Sequence, residues 1–129
     1  MKVNVELTKQ ESETVFYDIL CNCISMGWFN GYGITLDYNK GAYNRAKEKL
    51  QNPCVEDVWM QMLRDGEKLF FIDWECDGEY NAEVTLEDVH TKIQTAPLED
   101  IKTILDGTGD VINDDIVLQS MLYGEVIFG

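Results

Sequence analysis

Val15, Phe16, Ile19, Leu20, Cys23 and Ile24 recur at intervals that place one apolar stripe along a helix. Thr8 and Glu11, just upstream, have capping-box spacing, and Gly27 supplies a stop. The spacing therefore predicts an amphipathic helix of about four turns. Before it, Val3, Val5 and Leu7 alternate with polar residues and predict a short first strand. After it, Tyr32, Ile34, Leu36 and Tyr38 alternate with Gly33, Thr35 and Asp37 and predict a second. Lys40–Gln51 reads as a polar helix with a thin apolar line of Tyr43, Ala46 and Leu50. Val55, Val58, Trp59, Met62 and Leu63 then predict a helix over Cys54–Arg64, opened after Pro53 and stopped by Gly66.

The second half reads the same way. Leu69–Glu75 is a strand, and Asp77-Gly78 signals a hairpin into Glu79–Val84. A two-residue loop would mix apolar and polar faces. A slightly longer loop pairs Trp74 with Ala82 and Ile72 with Val84, keeping one face apolar and crowding Asp73, Glu75 and Glu83 on the other. Thr85 caps a helix carrying Leu86, Val89, His90 and Ile93. Pro97 opens a short helix through Leu98, Ile101 and Leu105, stopped by Gly107. Asp110 or Asn113 caps the last helix, which buries Val117, Leu118, Met121 and Leu122 and ends at Gly124. Asp114 and Asp115 in its first turn suit the helix dipole. Val126-Ile127-Phe128 is too apolar for a loose tail and is expected to pair as a final strand or dock on the core. No linker, repeat or low-complexity tract interrupts the pattern. It describes one α+β domain over residues 1–129: a small antiparallel sheet with a hairpin, packed against about five helices.

Charge changes this ordinary picture. The 129 residues hold 24 Asp and Glu against 10 Lys and Arg, a formal net charge of −14. Residues 1–64 carry a net −1 and residues 65–129 a net −13. Binding to phosphates needs cations that displace counterions, so direct nucleic-acid binding is excluded, as is adsorption to an anionic membrane. Cys21, Cys23, Cys54 and Cys76 follow no signal peptide, and no apolar run has the length of a membrane span. The expected setting is a reducing cytoplasm with free thiols. Cys21-x-Cys23 lacks zinc spacing and His90 is the only histidine, so no metal or cofactor is expected.

Nothing in the sequence has the marks of a known catalytic motif: there is no nucleophile elbow, P-loop or dinucleotide fingerprint. Carboxylates at Asp73, Glu75 and Glu83 leave open a metal-dependent or otherwise unrecognised enzyme. Gly27-Trp28-Phe29-Asn30-Gly31-Tyr32-Gly33 is the most unusual local composition, with glycines that allow close approach and flat aromatic surface at Trp28, Phe29 and Tyr32. It reads first as a tight helix-to-strand connection filling the core, and second as a pocket or a self-association surface.

Gln119-Ser120-Met121-Leu122-Tyr123-Gly124-Glu125-Val126-Ile127-Phe128-Gly129 resembles the C-terminal Gln-x-x-Leu-aromatic-Gly-Glu-aliphatic-aliphatic-aromatic-Gly motif of a family of small acidic bacteriophage and prophage proteins. Val55-Glu56-Asp57-Val58, Asp73-Trp74-Glu75 and Val84-Thr85-Leu86-Glu87-Asp88 fit in order, so the resemblance spans nearly the whole chain. It departs at Trp28-Phe29, where relatives carry adjacent glycines followed by Tyr-Trp, so no binding role is carried over there. The resemblance implies a mobile-element origin and a bacterial host cytoplasm, and no established activity or catalytic residue. The expected function is non-catalytic protein binding. Asp73, Glu75, Asp77, Glu79 and Glu83 would form an acidic face for a basic or nucleic-acid-binding host protein, in imitation of a phosphate backbone.

Overall fold

The structure, a computed structural model, describes residues 6–129. The strand predicted on Val3 and Val5 falls outside the described residues. Leu7 packs against the core, and its N–H donates to Gln94 Oε1 at 3.3 Å. The Thr8 capping box is formed: Glu11 N–H donates to Thr8 Oγ1 (3.0 Å) and Thr8 N–H to Glu11 Oε1 (2.9 Å). It opens α1 (Lys9–Ile19), which buries Val15, Phe16 and Ile19.

The predicted helix does not run on as one regular piece. Over Leu20–Ser25 it widens into a π-helical segment, and a 3₁₀ turn follows over Trp28–Tyr32. Gly27 (φ 83°) and Gly33 (φ 77°) bracket that turn in the left-handed region. Then come β1 (Ile34–Asp37), α2 (Lys40–Glu48), α3 (Val55–Arg64), β2 (Leu69–Asp73) and β3 (Ala82–Val84). Finally come α4 (Leu86–Lys92), α5 (Leu98–Leu105) and α6 (Val111–Tyr123). Thr85 caps α4, and of the two candidates for α6 it is Asp110 that caps, accepting from Ile112 N–H at 2.9 Å.

The chain is thus a small α+β fold: six α-helices and a three-stranded antiparallel sheet in the order β1-β2-β3 among the described residues. The helix α6 lies among α1, α4 and α5, and Val117, Leu118 and Gln119 on it are fully buried. Phe16, Phe29, Met62, Leu69 and Phe71 fill the core between helices and sheet.

The hairpin register corrects the expectation. Leu69 pairs with Val84 and Phe71 with Ala82, so the inward face of β2 is Leu69, Phe71 and Asp73 rather than Ile72 and Trp74. Strand parity is strict, and an odd shift sends every side chain to the opposite face. Asp73 therefore lies inside at 4% exposure, and Trp74 lies outside at 69%. The register follows from the connection, which spans residues 74–81 and is far longer than a tight turn. Val126–Phe128 adds no strand. It docks on α6 instead.

Candidate functional site

Asp73 builds the β2–β3 connection. Its Oδ1 accepts from the N–H groups of Glu75 (3.1 Å) and Cys76 (3.0 Å), and its Oδ2 from Tyr80 N–H (3.1 Å). Its own N–H donates to Asn81 Oδ1 at 2.7 Å. Burial alone would raise its pKa; the three backbone donors outweigh burial and hold the carboxyl below its usual range. Asp77 (φ 53°) and Gly78 (φ 82°) turn the chain back at the tip. Tyr80 fixes the far end, with its carbonyl accepting from Tyr123 Oη at 2.9 Å and its ring against Phe128.

A rigid loop results, and its outer surface is acidic and aromatic. Trp74, Glu75, Asp77 and Glu79 are all exposed. Trp74 Nε1 donates to Thr35 Oγ1 (2.8 Å), which fixes the indole over the outer sheet face. Among the described residues none of Glu75, Asp77 and Glu79 forms an ion pair, whereas Glu83 on β3 pairs with Lys68 at 3.1 Å. The five predicted acidic residues are therefore divided: three crown the loop, Asp73 supports it from below, and Glu83 stands on the adjoining strand.

Gly33 joins this loop to the rest of the molecule. Its carbonyl accepts from Trp74 N–H at 2.9 Å, and a Cβ there would come within 2.4 Å of Glu75 Cγ. Gly33→Ala is expected to cost about 2 kcal/mol, from left-handed backbone strain plus displacement of Glu75. Thermal denaturation measures it, and an unchanged melting temperature contradicts the close approach.

The aromatic segment separates into three roles. Phe29 is core, as the first reading expects. Tyr32 is half-buried, stacks on Phe128 (centroids 4.9 Å apart) and donates to Asp115 Oδ2 at 2.5 Å. Trp28 remains 41% exposed, and its Nε1 donates to the same oxygen at 3.1 Å. Behind them lies a feature the sequence reading misses. Asp114 and Asp115 are buried, although a first-turn position suggests exposed partners of the helix dipole. Asp115 Oδ1 accepts from Gln119 Nε2 at 2.6 Å, and Asp114 Oδ2 from Asn22 Nδ2 at 2.7 Å. Asp114 Oδ1 is buried with no donor. Burial, then the neighbouring Asp18 and Asp110 carboxylates, push the Asp114 carboxyl up to about 7, against the hydrogen bond from Asn22. Asp115 and Gln119 at i and i+4 were the available signal, two polar residues beside Leu118 and Leu122 on the apolar stripe.

His90 sits at the rim of the helical layer, with its Nε2 3.2 Å from Glu13 Oε2; Arg64 Nε donates to Glu13 Oε1 at 3.0 Å. All four cysteines are free thiols. Among the described residues no group of three or more His, Cys, Asp or Glu is placed to hold a metal ion, and no helix is long and apolar enough to cross a membrane. No protein-family model, curated protein or solved structure matches this chain.

Proposed function

We propose that this protein is a non-catalytic binding module that holds a basic partner protein on the loop of residues 74–81. The observation that carries the proposal is Trp74, 69% exposed within a rigid loop bearing Glu75, Asp77 and Glu79. An exposed indole is costly to keep in water, and Trp is over-represented among residues that dominate binding energy. Because the loop is already ordered, association loses little conformational entropy. The unpaired carboxylates draw in a cationic surface and discourage neutral or acidic ones. The charge of the second half supports a partner that ordinarily binds nucleic acid, with the loop in the place of phosphates. The resemblance to acidic phage proteins supports a host or defence protein in that role.

The test passes the nucleic-acid-binding fraction of a bacterial lysate over the immobilised chain. Basic proteins should be retained at low salt, released at high salt and displaced by added duplex DNA. Glu75→Gln, Asp77→Asn and Glu79→Gln together should weaken retention about tenfold, and Trp74→Ala by a similar factor. Retention that ignores salt, DNA and these variants contradicts the proposal, as does no retention at all.

A further inference from the structure

A second surface lies at the other end of the Trp28–Tyr32 turn. Asn22, Met26, Trp28, Gly109, Asp110 and Val111 line a groove of about 410 Å³. Its walls are unusually apolar for an exposed site: Met26 is 80% exposed, and Ile112, next to Val111, is 54% exposed. Its chemistry is nonetheless anionic. Asp110 lines it directly, and Asn22 separates it from Asp18 and Asp114, donating to the first at 3.3 Å and the second at 2.7 Å. Among the described residues no Lys, Arg or His lies within ion-pair distance of Asp18, Asp110, Asp114 or Asp115. Asp114 itself lies behind Asn22, wholly buried and outside the lining, so Asp110 is the carboxylate the groove presents.

These features call for an occupant that is flat, cationic and able to donate several hydrogen bonds. We infer that the groove takes the guanidinium of an arginine presented by a basic partner, stacked on Trp28 and donating to Asp110 and Asn22. Asp110 uses Oδ1 to cap α6, which leaves Oδ2 for a ligand. Asn22 spends its amide nitrogen on the two aspartates, which leaves its oxygen as an acceptor. A guanidinium satisfies an indole face and two acceptors together, because it is planar, weakly hydrated and carries donors along its edges. An ammonium ion meets the charge but not the shape. The inference rests on the proposed function, since it names how the same partner would be gripped. The 3₁₀ turn rises about 2 Å per residue, so Trp28 stands about 10 Å from Gly33, where Glu75 abuts.

The test uses the full ¹⁵N-labelled chain and two peptides, hexa-arginine and hexalysine. The indole N–H resonances of Trp28 and Trp74 report separately on groove and loop. Hexa-arginine should shift both and bind about fivefold more tightly than hexalysine. Trp28→Leu should erase that preference while leaving salt-sensitive binding at Trp74. Asp110→Asn, which keeps the helix cap, should weaken hexa-arginine about threefold without unfolding risk. Equal affinities, an unmoved Trp28 resonance, or a preference that survives both variants overturns the inference and leaves the loop proposal standing. A shift at Trp28 with none at Trp74 does the reverse.

Discussion

Asp114→Asn is expected to raise the melting temperature at pH 8 by roughly 10 °C, an unusual sign for a change at a fully buried, hydrogen-bonded residue. The charge on Asp114 has little to support it. Burial disfavours the ionised form, and Asp18 from α1 and Asp110 from its own helix add like charge; Asn22 supplies the one donor. Cys23 faces it from the π-helical segment with a thiol that burial pushes up, and so brings no compensating cation. With the carboxyl held near 7 in the fold and near its ordinary 3.8 when unfolded, the native state binds the extra proton between those values. Its contribution is fully present below about pH 4 and is lost as pH rises through about 7. That difference between the folded and unfolded carboxyl corresponds to about 4 kcal/mol as an upper bound, and about 3 kcal/mol is the expected effect. Asparagine keeps the oxygen for Asn22 and turns an N–H toward Asp18, so it mimics the protonated acid at every pH. Asp57, Asp65, Asp73 and Asp88 act oppositely, because their carboxyls are held low and their stabilisation disappears only in acid. The unmodified protein should therefore be most stable near pH 5 and weaken toward pH 8, while the variant stays nearly flat. Melting curves at pH 5 and pH 8 decide it: parallel losses in the two proteins remove Asp114 as the cause.

The outcome bears on what a sequence can reveal. Helix boundaries were legible wherever capping chemistry was local, as at Thr8, Thr85 and Asp110, because a side chain bonding three residues ahead leaves its mark in the spacing. The hairpin was not. Its register depends on Asp73 being buried, and that burial is stable only because the N–H groups of residues 75, 76 and 80 converge on one carboxylate. Patterning assigns an aspartate to the outside, so the face inverts. Reading Asp114 and Asp115 as partners of the helix dipole likewise gives no sign that both are buried. Of the proposed binding loop, the acidic residues were visible in the sequence, but its rigidity and the exposure of Trp74 were not. Both follow from long-range bonds to Thr35, Gly33 and Tyr123. The π-helical segment likewise has no period of its own to detect.

The C-terminal motif makes the largest demand on a single side chain. Gln119 is fully buried, and its amide reaches three neighbours. Oε1 accepts from Ile127 N–H (2.7 Å) and Phe128 N–H (2.8 Å), while Nε2 donates to Phe128 O (3.2 Å) and Asp115 Oδ1 (2.6 Å). One side chain thus stands in for a neighbouring strand, which explains why Val126–Phe128 docks without joining the sheet. Gly124 (φ 77°) reverses the chain after α6 and brings it back within reach. The Phe128 ring then fills the space among Tyr32, Tyr80 and Tyr123. Gln119→Leu preserves bulk but leaves two N–H groups and the Asp115 oxygen unpaired, at an expected cost of about 4 kcal/mol. Gln119→Glu should fare little better above pH 5, because it sets a second carboxylate against Asp115. The loss should spread in a definite direction. Release of Phe128 frees Tyr80, and Tyr80 anchors the loop that displays Trp74. Hydrogen exchange should therefore quicken at residues 126–128 and at Tyr80 together, while Phe71 and Val84 in the sheet stay protected. Faster exchange confined to the tail, or a melting temperature within two degrees of the unmodified protein, would separate the motif from the loop and leave Gln119 with a merely local role.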